Sequence, residues 1–163
     1  MMIKEKGKMV VYWQIRRFAN RREWEKNRPY NISRFKQNCL LNEGINAVWT
    51  ILCSAGGTKF DNTNAYLGVG DGNTPAADPA QTGLQGTNKL YRAMDDGYPT
   101  YGTLQKATFM STFESADANF AWQEFTVANG NSDSADNLNR KLSSEGTKTA
   151  GQVWELMFTV TII

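Results

Sequence analysis

The sequence predicts a mainly β protein: a single antiparallel β-sandwich or barrel-like domain with one helix, at about 42–54, and a basic N-terminal arm. Apolar residues alternate over short runs, Gly, Pro, Asn and Asp separate those runs, and only one segment carries a helical period. About seven strands with short turns suit a small sandwich or barrel. The chain has 163 residues, 40% of them hydrophobic and 21% charged, which is enough for one domain with a sizeable core.

The elements follow in order. In residues 10–17, Val11, Trp13 and Ile15 alternate with Tyr12, Gln14 and Arg16, the pattern of a half-buried strand. Residues 18–31 are rich in Arg and Glu and end near Pro29, so they read as an exposed connection to a second short strand near 32–37. The helix comes next, with Asn42 as N-cap, Glu43 in its first turn and Leu41, Ile45, Val48, Trp49 and Leu52 at helical spacing. Gly56 and Gly57 stop it. Ala47, Ile51 and Cys53 leave little polar surface, so the helix is expected to be covered on more than one side, as a plug or cap.

From residue 62 onward the pattern is β. Tyr66–Val69 runs into Gly70-Asp71-Gly72, and a loop of roughly sixteen residues with Pro75, Pro79, Gly83 and Gly86 follows, long enough to be functional or held by a partner. Lys89–Met94, Thr103–Phe113, Phe120–Ala128 and Leu138–Leu142 read as further strands, with Ala107, Phe109, Ser111 and Phe113 sharing a face. In the last strand Trp154, Leu156, Phe158, Val160 and Ile162 face one way, which places it at the centre of a sheet and fixes its register.

Charge divides the chain. Residues 1–36 hold 11 Lys/Arg against 3 Asp/Glu, and residues 37–163 hold 7 against 13, so a basic arm (1–38) precedes an acidic β domain (39–163). Basic residues interleaved with aromatics suit either nucleic acid or an acidic protein surface. Interface composition favours protein, with the arm of one copy laid on the body of another or on a partner. The expected contact residues are Trp13, Arg16, Arg17, Arg21, Arg22 and Trp24.

Several function classes lose their chemistry. Histidine is absent, which removes Ser-His-Asp triads, Cys-His pairs and His-ligated zinc. Cys39 and Cys53 lack the paired spacing of a metal site or disulfide scaffold and read as buried thiols. Gly68–Gly72 is followed by neither a Gly-Lys-Ser/Thr ending nor a helix, so no nucleotide or other cofactor is assigned. Asn129, Asn131, Asp133 and Asp136 carry oxygen ligands, but Ser134 and Arg140 break the EF-hand pattern and a solvated hairpin loop is preferred to calcium. Asp95/Asp96 and Glu114/Asp117 border turns, where carboxylates serve the local backbone. A catalytic reading of the first pair needs it in a pocket. The expectation is therefore a non-enzyme without metal, and without a signal segment or membrane span, used in a cytosol.

Five stretches taken in order carry a resemblance: Leu40-Leu41-Asn42-Glu43-Gly44-Ile45-Asn46, Asn64 through Gly72, Asn119-Phe120-Ala121-Trp122, Leu138-Asn139-Arg140-Lys141 and Gly146-Thr147-Lys148. Over residues 40–163 the chain resembles a family of small structural proteins encoded in tailed-bacteriophage genomes. The resemblance implies a virion component assembled in the host cytoplasm: a capsid decoration or cement subunit, or a tail, collar or fibre-anchoring part. Its partners would be the major capsid protein, other virion proteins and further copies of itself. A nucleic-acid-binding module using the basic arm is the reading from a different class.

Overall fold

The structure, a computed structural model, describes residues 8–163; the first seven residues of the expected arm lie outside it. Among the described residues ten strands form two five-stranded antiparallel sheets. The first has the order β2 (Asn31–Lys36), β1 (Met9–Phe18), β10 (Val153–Ile162), β7 (Lys106–Phe113), β6 (Thr100–Thr103). The second runs β3 (Cys39–Leu40), β9 (Asn139–Leu142), β8 (Glu124–Ala128), β4 (Tyr66–Gly70), β5 (Lys89–Ala93). The mainly β, sandwich-like fold is therefore as expected.

Alternation explains the packing. β10 lies between β1 and β7, paired from Met9↔Ile162 to Phe18↔Val153 on one side and from Trp154↔Phe113 to Thr161↔Lys106 on the other. Its inward row of Trp154, Leu156 and Phe158 is buried together with Val11, Trp13 and Ile15 of β1 and Phe109 and Phe113 of β7. Leu67, Val69, Phe125 and Val127 close the core from the second sheet. Trp13 has no solvent exposure; its ring lies 4.4 Å from that of Phe158, 5.8 Å from Phe125 and 6.0 Å from Phe35. Aromatic pairs at such spacings add to the burial of their area.

This packing corrects the expectation of a separate arm. β1 and β2 belong to the first sheet, and the apolar residues of β1 go into the common core, so residues 9–36 are part of the body. The expected boundary at 38/39 is the crossing from β2 in one sheet to β3 in the other. Residues 18–31 contain a helix that the sequence reading missed, α1 (Arg21–Glu25), whose N-cap Asn20 accepts from the Glu23 amide at 3.0 Å.

The expected helix is present as α2 (Asn42–Cys53), with Leu41 rather than Asn42 at the N-cap. Its placement overturns the expectation of cover on several sides. Gly44 and Ala47 are its buried residues. A Cβ at Gly44 would stand 2.5 Å from the Asn137 carbonyl oxygen and 2.9 Å from the Leu138 carbonyl carbon, so glycine allows the helix to touch the chain entering β9. Glu43 fastens this contact: its Oε1 accepts from the backbone amides of Asn137 at 3.0 Å and Gly83 at 3.1 Å.

The long loop after β4 is held from within. Glu124, fully buried on β8, accepts from the Gln85 amide at 2.9 Å and the Gly86 amide at 2.6 Å, and pairs with fully buried Arg140 at 2.7 Å. Arg140 in turn donates to the Pro75 carbonyl and the Gln81 side chain. Gly70, Gly72 and Gly86 leave room for this carboxylate, since a Cβ at any of them would lie 2.5–2.8 Å from its Oε1. The glycine cluster thus surrounds a structural carboxylate of the chain itself.

Candidate assembly surface

The six expected contact residues do not form one surface. Trp13 is inside the core and cannot meet a partner. Arg17, also buried, donates to Asn31, Ser33 and Glu145, the last at 3.0 Å, and lies over the Trp154 ring at 4.6 Å. Arg16 pairs with Glu155 at 2.9 Å and bonds Asn27. Arg21 bonds Glu114, pairs with Glu25 at 3.3 Å and stacks on half-buried Trp24 at 4.1 Å. Arg22 is exposed. The basic N-terminal segment therefore meets the acidic body within one chain. Three of its charges, Arg16, Arg17 and Arg21, are paired within the chain with Glu155, Glu145 and Glu114, while Arg22, Lys26, Arg28, Arg34 and Lys36 are exposed.

The exposed apolar residues lie elsewhere. Because α2 turns its small residues toward β9, its large ones face outward: Trp49 is 59% and Leu52 69% exposed, with Cys53 exposed beside them and Ile45 and Val48 half-buried. No Lys or Arg occurs between Asn42 and Cys53, and Glu43 is committed to backbone amides. Large aromatic and aliphatic groups on an uncharged helical face are unlike the usual scatter of single apolar residues on a protein surface. A signal for this was present in the sequence, since a nearly all-apolar helix must be covered by something. The expected plug or cap, covered on more than one side, is overturned by the exposure of Trp49 and Leu52.

The end of the first sheet adds a second apolar area. Met9 and Ile162, paired across β1 and β10, continue the inward rows of these strands yet are exposed. Tyr101 of β6, opposite Ala107, is exposed on the same side, and Leu104 is exposed at the turn beyond. The inner face of the first sheet here extends past its cover.

Asp95, Asp96 and Glu114 line a groove with Trp24, Met94 and Met110. Asp95 is committed to the fold, accepting from the Thr112 amide at 2.9 Å and the Thr112 hydroxyl at 2.7 Å, while Glu114 bonds Arg21. In the 129–136 loop, Asp133 is taken by Lys89 at 2.5 Å, by the Tyr91 hydroxyl and by the Leu84 amide, and Asn129 bonds Asp136 and Thr58. Burial first, and Asp133 second, hold the Tyr91 hydroxyl well above its ordinary pKa. Among the described residues no group of three or more Cys, Asp or Glu side chains is placed to hold a metal ion, and no helix is long and apolar enough to cross a membrane. Lys148 is fully buried and donates to the carbonyls of Glu114 (2.6 Å) and Asp117 (2.9 Å) and to Asn119 Oδ1 (3.0 Å). Burial lowers its pKa to about 8, opposed by the carboxylates of Asp117 and Glu114.

Comparison of the chain with protein-family models, with curated proteins and with solved structures finds no match.

Proposed function

We propose that this chain is a non-catalytic structural subunit of a tailed-phage virion, a decoration or cement protein that binds the capsid shell through the outward face of α2. The observation that carries the reading is the inverted helix: Gly44 and Ala47 face the body and Trp49 and Leu52 face solvent. Burying each of these large side chains against a partner would contribute about 1.5–3 kcal/mol. On a lattice of many identical sites, contacts of that size suffice because binding is multivalent. The partner surface this face fits is apolar, not the acidic one that the charge division of the sequence suggested. The residue resemblance supplies the phage assignment, and the apolar end of the first sheet suits contact between neighbouring copies.

The test is a labelled chain located on purified particles, with Trp49→Asp and Leu52→Asp variants compared for occupancy. Labels spread over the head, and lost in both variants while thermal unfolding is unchanged, are the expected result. A label at a single point on the tail would move the assignment to a collar or fibre-anchoring part. Full occupancy by both variants would refute the docking face. Filter binding with DNA and RNA tests the nucleic-acid reading, which requires affinity that falls steeply with salt.

A further inference from the structure

Among the described residues the exposed carboxylate side chains are those of Glu25, Asp78 and Asp96. The other acids of the body are turned to internal use: Glu43 and Asp95 accept from amides, and Glu124, Asp133, Glu145 and Glu155 pair with cations of the chain. Exposed cations are more numerous, and they are not scattered. Lys8, Arg21, Lys59 and Lys106 stand in different places, whereas Arg22, Lys26, Arg28, Arg34 and Lys36 all lie between α1 and the end of β2. None of these five has a carboxylate within 4.0 Å among the described residues.

Strand register places them. Tyr12, Gln14 and Arg16, the outward residues of β1, stand opposite Lys36, Arg34 and Ile32 of β2, and Arg34 Nε donates to Gln14 Oε1 at 3.0 Å across that face. Arg16 donates to the Asn27 side chain, which brings the turn carrying Lys26 and Arg28 to the end of the same row. β2 is the edge of its sheet, so no further strand covers this row. At ~3.4 Å per residue, Asn31–Lys36 extends about 17 Å. Tyr30, 54% exposed, follows Arg28 at the start of the row, and half-buried Tyr12 stands beside Lys36 at its end.

We infer that the outer edge of β2, with the 26–28 turn, binds the phosphate backbone of a nucleic acid. A linear row of unpaired cations with aromatic rings at both ends matches an extended polyanion, whose phosphates meet the cations and whose bases stack. At one phosphate per ~3.4 Å of each strand, a strand lying along this row presents about five charges. A second copy of this chain does not fit the row, because its exposed carboxylates sit on three separate elements and Glu25 is already paired with Arg21. The surface uses no residue of the outward face of α2 and does not depend on the virion reading.

The experiment measures fluorescence anisotropy of fluorescein-labelled single-stranded DNA, the matching RNA and the DNA duplex, each titrated with the full chain over a series of salt concentrations. Saturable binding is expected, with a log–log salt slope of about −3.5 for a single strand or about −4.5 for a duplex, the values for five phosphate contacts. Arg34→Glu/Lys36→Glu should weaken binding at least tenfold and flatten the slope by about 1.5, and Lys26→Glu/Arg28→Glu should do the same. Lys59→Glu, an exposed cation outside the row, should change affinity by less than twofold. Trp49→Asp and Leu52→Asp should leave this binding intact, so its failure and that of the α2 face are separable. No saturable binding at low salt, or equal affinity in wild type and both double variants, overturns the inference. Poly-glutamate of equal charge competing as well as unlabelled DNA also overturns it, in favour of an acidic protein surface.

Discussion

Trp13→Ala and Trp49→Ala form a pair that separates core from contact surface. Trp13 has no exposure and touches the rings of Phe35, Phe125 and Phe158, so truncation removes the centre of an aromatic cluster and leaves a cavity that both sheets must keep open. Such truncations cost about 3–5 kcal/mol. At about 2.1 cal/mol/K of unfolding entropy per residue, a chain of 163 residues loses roughly 9–15 °C of Tm for that amount. Trp49 is mostly exposed, so its removal should change stability by no more than about 0.5 kcal/mol, under ~2 °C. If it anchors a partner, its loss costs about 2 kcal/mol of binding, near thirtyfold in affinity. Urea and thermal denaturation followed by circular dichroism, together with particle binding, measure both halves. Equal destabilisation by the two variants, or a neutral Trp13→Ala, would refute the assignment of one tryptophan to the core and the other to the surface.

Three further outcomes follow from the packing. Gly44→Ala should destabilise by about 1–3 kcal/mol, because its methyl would meet the backbone of residues 137 and 138; hydrogen exchange should show α2 loosened before the sheets. Glu124→Gln should cost about 3–5 kcal/mol by leaving Arg140 buried without its counter-charge, with faster exchange at Gln85 and Gly86. Lys148 gives a pH dependence: its folded pKa of about 8 lies below the ordinary 10.5, so the unfolded chain holds the proton more tightly. Its contribution is therefore fully present above pH 10.5 and lost as pH falls through 8. Denaturation at pH 7.5 and 9.5 should show wild type gaining stability relative to Lys148→Met, and parallel behaviour of the two would exclude the assignment.

Most strands were legible because a buried face imposes a period of two that needs no knowledge of the partner strand. Thus Trp154, Leu156 and Phe158 were read as an inward row, and Val11, Trp13 and Ile15 as the alternation of a half-buried strand, although Trp13 was also expected at a partner contact and lies in the core. The short edge strands β3 and β6 were missed, since two to four residues with little burial leave no period to detect. The exposed face of α2 was half legible: its apolar stripe is in the sequence, but its direction depends on Gly44 meeting residues 137 and 138, a contact across more than ninety positions.

The sequence by itself determined the β class, the single core and the division of charge, because alternation, composition and net charge are local or additive properties. Only the tertiary structure decided where that charge goes. Arg16, Arg17 and Arg21 find Glu155, Glu145 and Glu114 at separations of 139, 128 and 93 residues, and such pairings depend on strand order, which β1 acquires by lying between β2 and β10. What reads along the chain as a separate basic arm is, in space, a strand of the common sheet whose Arg16 and Arg17 are paired with the chain's own carboxylates, because strand order brings together residues more than a hundred positions apart.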